Sequence, residues 1–229
     1  MPNSDKKTTA QWVEEHIRQI VQGQTTHATH DGIELTPQDA LENLTVNEQA
    51  QVVHGLSLYA KASRRARQQA GYQLRPIRKE DNQRVAEIIR TVMTEYGAVG
   101  EGYSIVDPEV DDMYSNYQHG SSCYWVVERD GKLLGSAGIG PLKGGDGTTC
   151  ELRKMFFLPD VRGLGLGRKL LITLLQEARI RGYKKCYLET LDRMKEAVGL
   201  YQSVGFQPLN GPEGNTGHCS CDCWYQLEL

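Results

Sequence analysis

The stretch ELRKMFFLPDVRGLGLGR, Glu151–Arg168, decides the fold. An apolar run of Met155, Phe156, Phe157 and Leu158 is stopped by Pro159 and Asp160. Arg162, Gly163, Gly165 and Gly167 follow, and then Leu170, Leu171, Leu174, Leu175 and Ala178 recur at helical spacing as far as Arg181. That pattern is a strand, a glycine-rich loop and a helix. The first backbone N–H groups of a helix lack intrahelical partners and sit at the positive end of its dipole. Glycines that let the chain pass close to an anion there make a seat for a diphosphate.

The spacing narrows the ligand. Gly163, Gly165 and Gly167 alternate as G-x-G-x-G, which misses the dinucleotide fingerprint G-x-G-x-x-G, and no G-x-x-x-x-G-K-[ST] occurs. Arg162, Gly165 and Gly167, as R-x-x-G-x-G, instead resemble the coenzyme A signature of the GNAT superfamily of N-acetyltransferases. The preceding ELxxMFxxP (Glu151 to Pro159) and the following AVGLYQSVGF (Ala197 to Phe206) are similar to that superfamily's central strand and its A-x-x-L-Y-x-x-x-G-F segment.

The resemblance spans residues 72–229. It implies an α/β fold whose mixed, mostly antiparallel central sheet is flanked by helices, here behind an N-terminal α-helical extension, 1–71. It also implies acetyl-CoA as co-substrate and direct acetyl transfer to a primary amine in a ternary complex. Met155, Phe156 and Phe157 would then grip the pantetheine arm and supply a main-chain donor to the oxyanion. Arg162, Gly163, Leu164, Gly165, Leu166, Gly167 and Arg168 would hold the diphosphate.

The chain of 229 residues carries a formal charge of −3, with 24% charged and 39% hydrophobic residues, which allows one sizeable core plus an appendage. The mild acidity gives no global reason to bind nucleic acid. The run Arg64, Arg65, Arg67 reads as the solvated end of a helix. No apolar segment reaches the roughly 18 residues of a membrane span, and the N-terminus has no apolar signal core, so no membrane association and a cytoplasmic location are expected. The six cysteines are then expected as thiols. His218–Cys223 (HCSCDC) alternates with period two, as on one strand face, whereas zinc sites favour C-x2–4-C pairs, so no metal is expected.

Before Gly71 the pattern reads as helical. Val13, Ile17, Ile20 and Val21 form one amphipathic stripe, a polar interval runs through Asp31-Gly32, and Pro37 opens a short segment. Thr45–Glu48 reads as the capping box of a helix to about Gln68. Its stripe of Val46, Ala50, Val53, Leu56 and Ala60 needs a partner, either in a homodimer or on the chain's own sheet. Beyond Gly71, strands are expected at Leu74–Ile77, Tyr124–Glu128, Leu133–Ile139, Thr149–Leu158, Tyr183–Leu188, Phe206–Leu209 and Asp222–Leu227, with turns at Asp130-Gly131 and Gly144–Gly147.

Acetyl transfer from a thioester needs a neutral amine, donors for the oxyanion and a proton for the leaving thiolate. The resemblance assigns the last to Tyr201, whose phenol stays protonated at neutral pH. It departs from the family at Met194, where Asn is usual. Candidates for the base are Glu151, in step along its strand with Arg153 and Met155, and Glu189, at the C-terminal end of the next strand. Tyr96, Tyr103, Tyr114 and His218 are candidates to shape the acceptor pocket. A small-molecule amine or amino acid, a protein lysine or N-terminal amine, and a non-catalytic CoA-sensing role all stay open at this level.

Overall fold

A computed structural model describes residues 28–30, 33–35 and 41–229. The expected helix through Val13 and Val21 and the segment opened by Pro37 lie outside them. The chain divides into two compact units, Met1–Ser63 and Arg64–Leu229. In the first, β1 (Ala28–His30) pairs antiparallel with β2 (Ile33–Leu35), His30 facing Ile33. These two short strands flank Asp31-Gly32, the end of the polar interval expected between the helical segments.

The helix α1 (Val46–Gln68) begins at the anticipated capping box, with the Thr45 N–H donating to Glu48 Oε2 at 2.8 Å and the Glu48 N–H to Thr45 Oγ1 at 3.3 Å. No residue of α1 is buried, and Val46 and Val53 of its apolar stripe are exposed. None of the described helices is long and apolar enough to cross a membrane.

The second unit is built on a seven-stranded sheet. Its strands are β3 (Gln73–Pro76), β4 (Cys123–Arg129), β5 (Lys132–Pro141), β6 (Thr149–Phe157), β7 (Lys185–Thr190), β8 (Gln207–Pro208) and β9 (Cys223–Glu228), in the order β3-β4-β5-β6-β7-β9-β8. Asp130 and Gly131 both take positive φ in the tight turn between β4 and β5. The helix α2 (Asn82–Glu95) covers one face, burying Val85, Ile88 and Ile89 against Tyr124, Val126 and Leu133. On the other, α3 (Leu166–Ile180) buries Leu170, Leu171 and Leu174 against Val127, Ile139, Cys150 and Leu152. The helix α4 (Lys195–Val204) adds Tyr201 to that layer. Each such side chain contributes about 1.5–3 kcal/mol by leaving water, which accounts for the helical periodicity of the sequence.

Two irregularities of β6 position everything that follows. It pairs with β7, in parallel, only over Thr149–Glu151 against Lys185–Tyr187, while β7 pairs with β9 along its whole length. It also carries one extra residue against β5, between the pairs Gly138–Arg153 and Ser136–Phe156, where Lys154 adopts φ 52°. A bulge of this kind reverses which face successive side chains meet. Cys150 and Leu152 face α3 before it, and after it Met155 and Phe157 do, with Phe156 and Leu158 turned to α2. The expectation that Met155 stays in step with Glu151 is thus overturned, although Arg153 does keep step, its Nε donating to Glu151 Oε2 at 2.6 Å.

The bulge is held from both sides. The Tyr124 hydroxyl donates to the Lys154 carbonyl at 3.2 Å and accepts from the Ser136 hydroxyl at 2.9 Å. Lys154 Nζ, its side chain 1% exposed, pairs with Asp107 and, at 3.0 Å, with Glu109. After the bulge the Phe157 ring lies on Gly135, where a Cβ would stand 2.3 Å from Cδ1. Gly135→Ala should therefore displace that ring and lower the unfolding free energy by about 1–3 kcal/mol. Urea titration checks it, and a midpoint equal to that of the parent would show that the ring is free to move.

Candidate active site

Beyond the Glu151–Tyr187 pair, β6 continues along β5 and β7 along β9, so the β7-facing edge of β6 has no strand partner from Leu152 on. Two compartments open in this fork. The larger, about 380 Å³, lies on the α3 side between Met155–Phe157, the glycine loop and the α4 residues Ala197, Leu200 and Tyr201. The smaller, about 80 Å³, lies deeper, between Glu151–Phe156, Leu188–Leu191, Tyr103 and His218. Met155, Phe156, Met194, Ala197 and Tyr201 line both.

The glycine loop is shaped as an anion seat. After the turn Pro159–Val161 the chain is extended at Arg162, and Gly163 and Gly165 both take φ 76°. Gly165 is the N-cap of α3 and no side chain caps that end, which leaves the first N–H groups of the helix to an external acceptor. Gly163, Gly165, Leu166, Gly167 and Arg168 line the cleft. Leu164 does not: its side chain packs on the core and its carbonyl accepts from Gln69 Nε2 at 3.1 Å.

Arg162, which also lines the cleft, is already engaged. It forms a two-pronged pair with Glu95 at 2.6 and 2.7 Å, gives its Nε–H to the Phe157 carbonyl at 2.9 Å and lies 5.5 Å from the centre of the Tyr96 ring. Its hydrogen bonds hold the Glu95 carboxyl below its ordinary range. Arg162 thus braces the loop against the end of α2. Arg168 reaches Ser203 Oγ at 3.1 Å.

The deeper compartment gathers ionisable groups from distant parts of the chain. His218 Nε2 stands 3.0 Å from Asp107 Oδ2, and its Nδ1 is 3.8 Å from Glu189 Oε2 and 4.0 Å from Glu151 Oε1. Glu189 Oε1 accepts from the Tyr187 hydroxyl at 2.7 Å and from Thr216 at 2.9 Å. Its Oε2 is buried without a hydrogen-bond partner among the described residues. Burial raises the affinity of Glu189 for a proton above that of an ordinary carboxyl. Burial pushes Asp107 the same way, but His218 and Lys154 outweigh it and keep that carboxyl low. Burial also raises Tyr201, which stays a phenol, and pushes Cys221, on the wall of the compartment, up to about 12.

The candidate residues fall into place unequally. Tyr201, Glu151, Glu189, Tyr103 and His218 share the deeper compartment. Tyr96 instead lines the cofactor-side cleft, because it ends α2 beside Arg162. Tyr114 lies outside both: its ring packs in the α2 layer and its N–H donates to Asn82 Oδ1 at 2.8 Å. Asp107, Lys154 and Arg65, which lines the cleft, were not singled out by sequence reasoning as site residues. Nor does His218–Cys223 form a strand face, since β9 begins only at Cys223. Among the described residues no group of three or more His, Cys, Asp or Glu is placed to hold a metal ion.

Comparison with known proteins agrees with this geometry. The model of the acetyltransferase (GNAT) family matches residues 82–206. The Escherichia coli K12 protein YjgM, described as an uncharacterized N-acetyltransferase, is 43% identical over 157 residues, which cover 68% of this chain and 94% of that one. Human N-acetyltransferase 8B is 36% identical over 110 residues, 46% of this chain and 44% of that protein. The Salmonella typhimurium protein yncA, solved with its cofactor acetyl-CoA, superposes with a TM-score of 0.56 at 25% identity, over 69% of this chain and 94% of that one. With the forked sheet and the uncapped glycine loop, these matches show that the chain is an acyltransferase and belongs to the GNAT acetyltransferase family.

Proposed function

We propose that residues 72–229 form the catalytic domain, behind the extension 1–71, and that it moves the acetyl group of acetyl-CoA to a primary amine of a small molecule or amino acid. The observation that carries this reading is the junction of the two compartments. A cleft ending in an uncapped helix N-terminus adjoins a small chamber of ionisable groups, with Tyr201 lining both. The residues fit the cofactor. The unpartnered edge of β6 at Met155–Phe157 suits an extended amide-bearing arm, and the amides of Gly165–Arg168 suit a diphosphate. When bound, acetyl-CoA supplies an activated thioester.

The chain's own groups then handle the amine. Of the carboxylates at the chamber, Glu151 is held by Arg153 and Asp107 by Lys154, which leaves Glu189 to draw in an ammonium ion. The unpartnered Glu189 Oε2 is the oxygen that receives its proton, with His218 Nδ1 3.8 Å from it and 4.0 Å from Glu151 Oε1. Tyr201 donates to the departing thiolate, and an unpaired β6 N–H polarises the carbonyl. A chamber of about 80 Å³ favours a small acceptor over a protein chain. The exposed stripe of α1 is the surface we assign to self-association as a homodimer, and the thiols suit a cytoplasmic location.

Thiol release measured against a panel of amines tests the reaction. Acetyl-CoA binding without turnover on any acceptor would point instead to a sensor. Tyr201→Phe is expected to lower kcat by roughly 10- to 1000-fold while acetyl-CoA affinity, by calorimetry, stays within about twofold. An unchanged kcat would move the acid elsewhere.

Glu189→Gln separates function from stability. Because burial raises its native proton affinity, Glu189 stabilises the fold below the ordinary value of 4.5, and that contribution is lost as pH rises through the higher native value. The Gln variant should therefore have a Tm above the parent at pH 7–8, lose that advantage near pH 4, and show a depressed kcat throughout. A variant less stable than the parent at pH 8 would contradict this account.

A further inference from the structure

The C-terminal end of α1 lies on the glycine loop. Gln69, just beyond the helix and 8% exposed, donates its Nε2–H to the Leu164 carbonyl at 3.1 Å. One turn earlier, the Arg65 stem covers Gly165: Cδ and Cγ lie 3.3 and 3.4 Å from where a Cβ on that glycine would stand. The Arg65 side chain lines the same cleft as Gly163, Gly165 and Arg168. Arg65 and Gln69 fall outside residues 82–206, the part matched by the family model, while Leu164 and Gly165 fall inside it.

The cations around the cleft are not equivalent. Arg162 is neutralised by Glu95 through two hydrogen bonds, and Arg168 is tied to Ser203. Arg65 has no anionic partner among the described residues. The cleft is lined by three arginines, Arg65, Arg162 and Arg168, against one carboxylate, Glu196, and an arginine whose stem lies on the glycine loop is placed to meet an anion there. The position of that anion follows from Gly165, the N-cap whose helix offers its first amides to the same space.

We propose that Arg65, from the helix preceding the catalytic domain, is a ligand of the coenzyme A diphosphate, together with the amides of α3. This rests on the cofactor reading above and extends it to a residue outside the family's own segment. The guanidinium binds ground state and transition state alike, so it lowers KM for acetyl-CoA and leaves kcat alone.

The test is calorimetry of the full chain with CoA, with dephospho-CoA, which keeps the diphosphate but lacks the ribose phosphate, and with pantetheine, which lacks both. Arg65→Met keeps the packed stem and removes the charge, and Arg65→Lys restores a cation. The adjacent Arg64→Met is the control, since Arg64 does not line the cleft. Arg65→Met should bind CoA and dephospho-CoA about 10-fold more weakly, as for one partly exposed charge-assisted hydrogen bond, with pantetheine unaffected. Arg65→Lys should recover part of the loss, and kcat at saturating acetyl-CoA should equal that of the parent.

Unchanged CoA affinity in Arg65→Met overturns the proposal. So does a loss that disappears with dephospho-CoA, which would place the contact on the ribose phosphate, or an equal loss in Arg64→Met, which would reduce it to general electrostatics. If the parent itself binds no CoA, the cofactor reading fails instead, so the two failures are distinguishable.

Discussion

The structure depends on a broken hydrogen-bond ladder. A parallel pair of central strands would normally stay joined, because each unpaired buried N–H or C=O costs free energy comparable to a lost hydrogen bond. Here β6 and β7 share three residue pairs and then part. The divergence is sustained because each strand keeps another neighbour, β5 and β9 respectively, so only the edges facing the fork are left to seek partners. Those edges form the site. An extended ligand with its own amides is the chemical complement of a strand edge, and the fold supplies one such edge at the place where α3 presents its first N–H groups.

The Lys154 bulge makes that edge usable. A non-glycine residue at positive φ costs of order 1 kcal/mol, and here the cost is offset by Tyr124, which donates to the bulge carbonyl, and by two carboxylates that hold the buried ammonium. One of them, Asp107, also holds His218. A backbone irregularity in the central strand is therefore wired to the roof of the inner chamber, which comes from two loops more than a hundred residues apart in sequence. Ser220 fastens the same loops, its N–H donating to the Gly102 carbonyl at 3.2 Å.

Local rules made much of this legible. The glycine loop, the capping box of α1, the Asp130-Gly131 turn and the amphipathic run of α3 each follow from the spacing of a few residues, and each was found close to its expected bounds. The bulge was not legible, since nothing in Arg153-Lys154-Met155 requires a left-handed residue, and strict alternation through it put Met155 on the wrong face. Tyr96 and Tyr114 were indistinguishable from Tyr103 by type and neighbourhood, because their destinations depend on how an irregular segment wraps α2. The engagement of Arg162 by Glu95 joins residues 67 positions apart, and that of Arg65 with the loop joins residues 100 apart. No periodicity carries information over such intervals.

The wall shared by the two compartments constrains how this scaffold can change its substrate. Met155, Phe156, Met194, Ala197 and Tyr201 each touch both spaces, so enlarging the chamber through any of them also loosens the grip on the arm of the donor. The loops carrying Tyr103 and His218 touch only the inner space. Divergence toward new acceptors, in nature or by directed evolution, has its freest route through that ceiling, where the dimensions of the guest can be reset while the handling of the thioester is inherited intact.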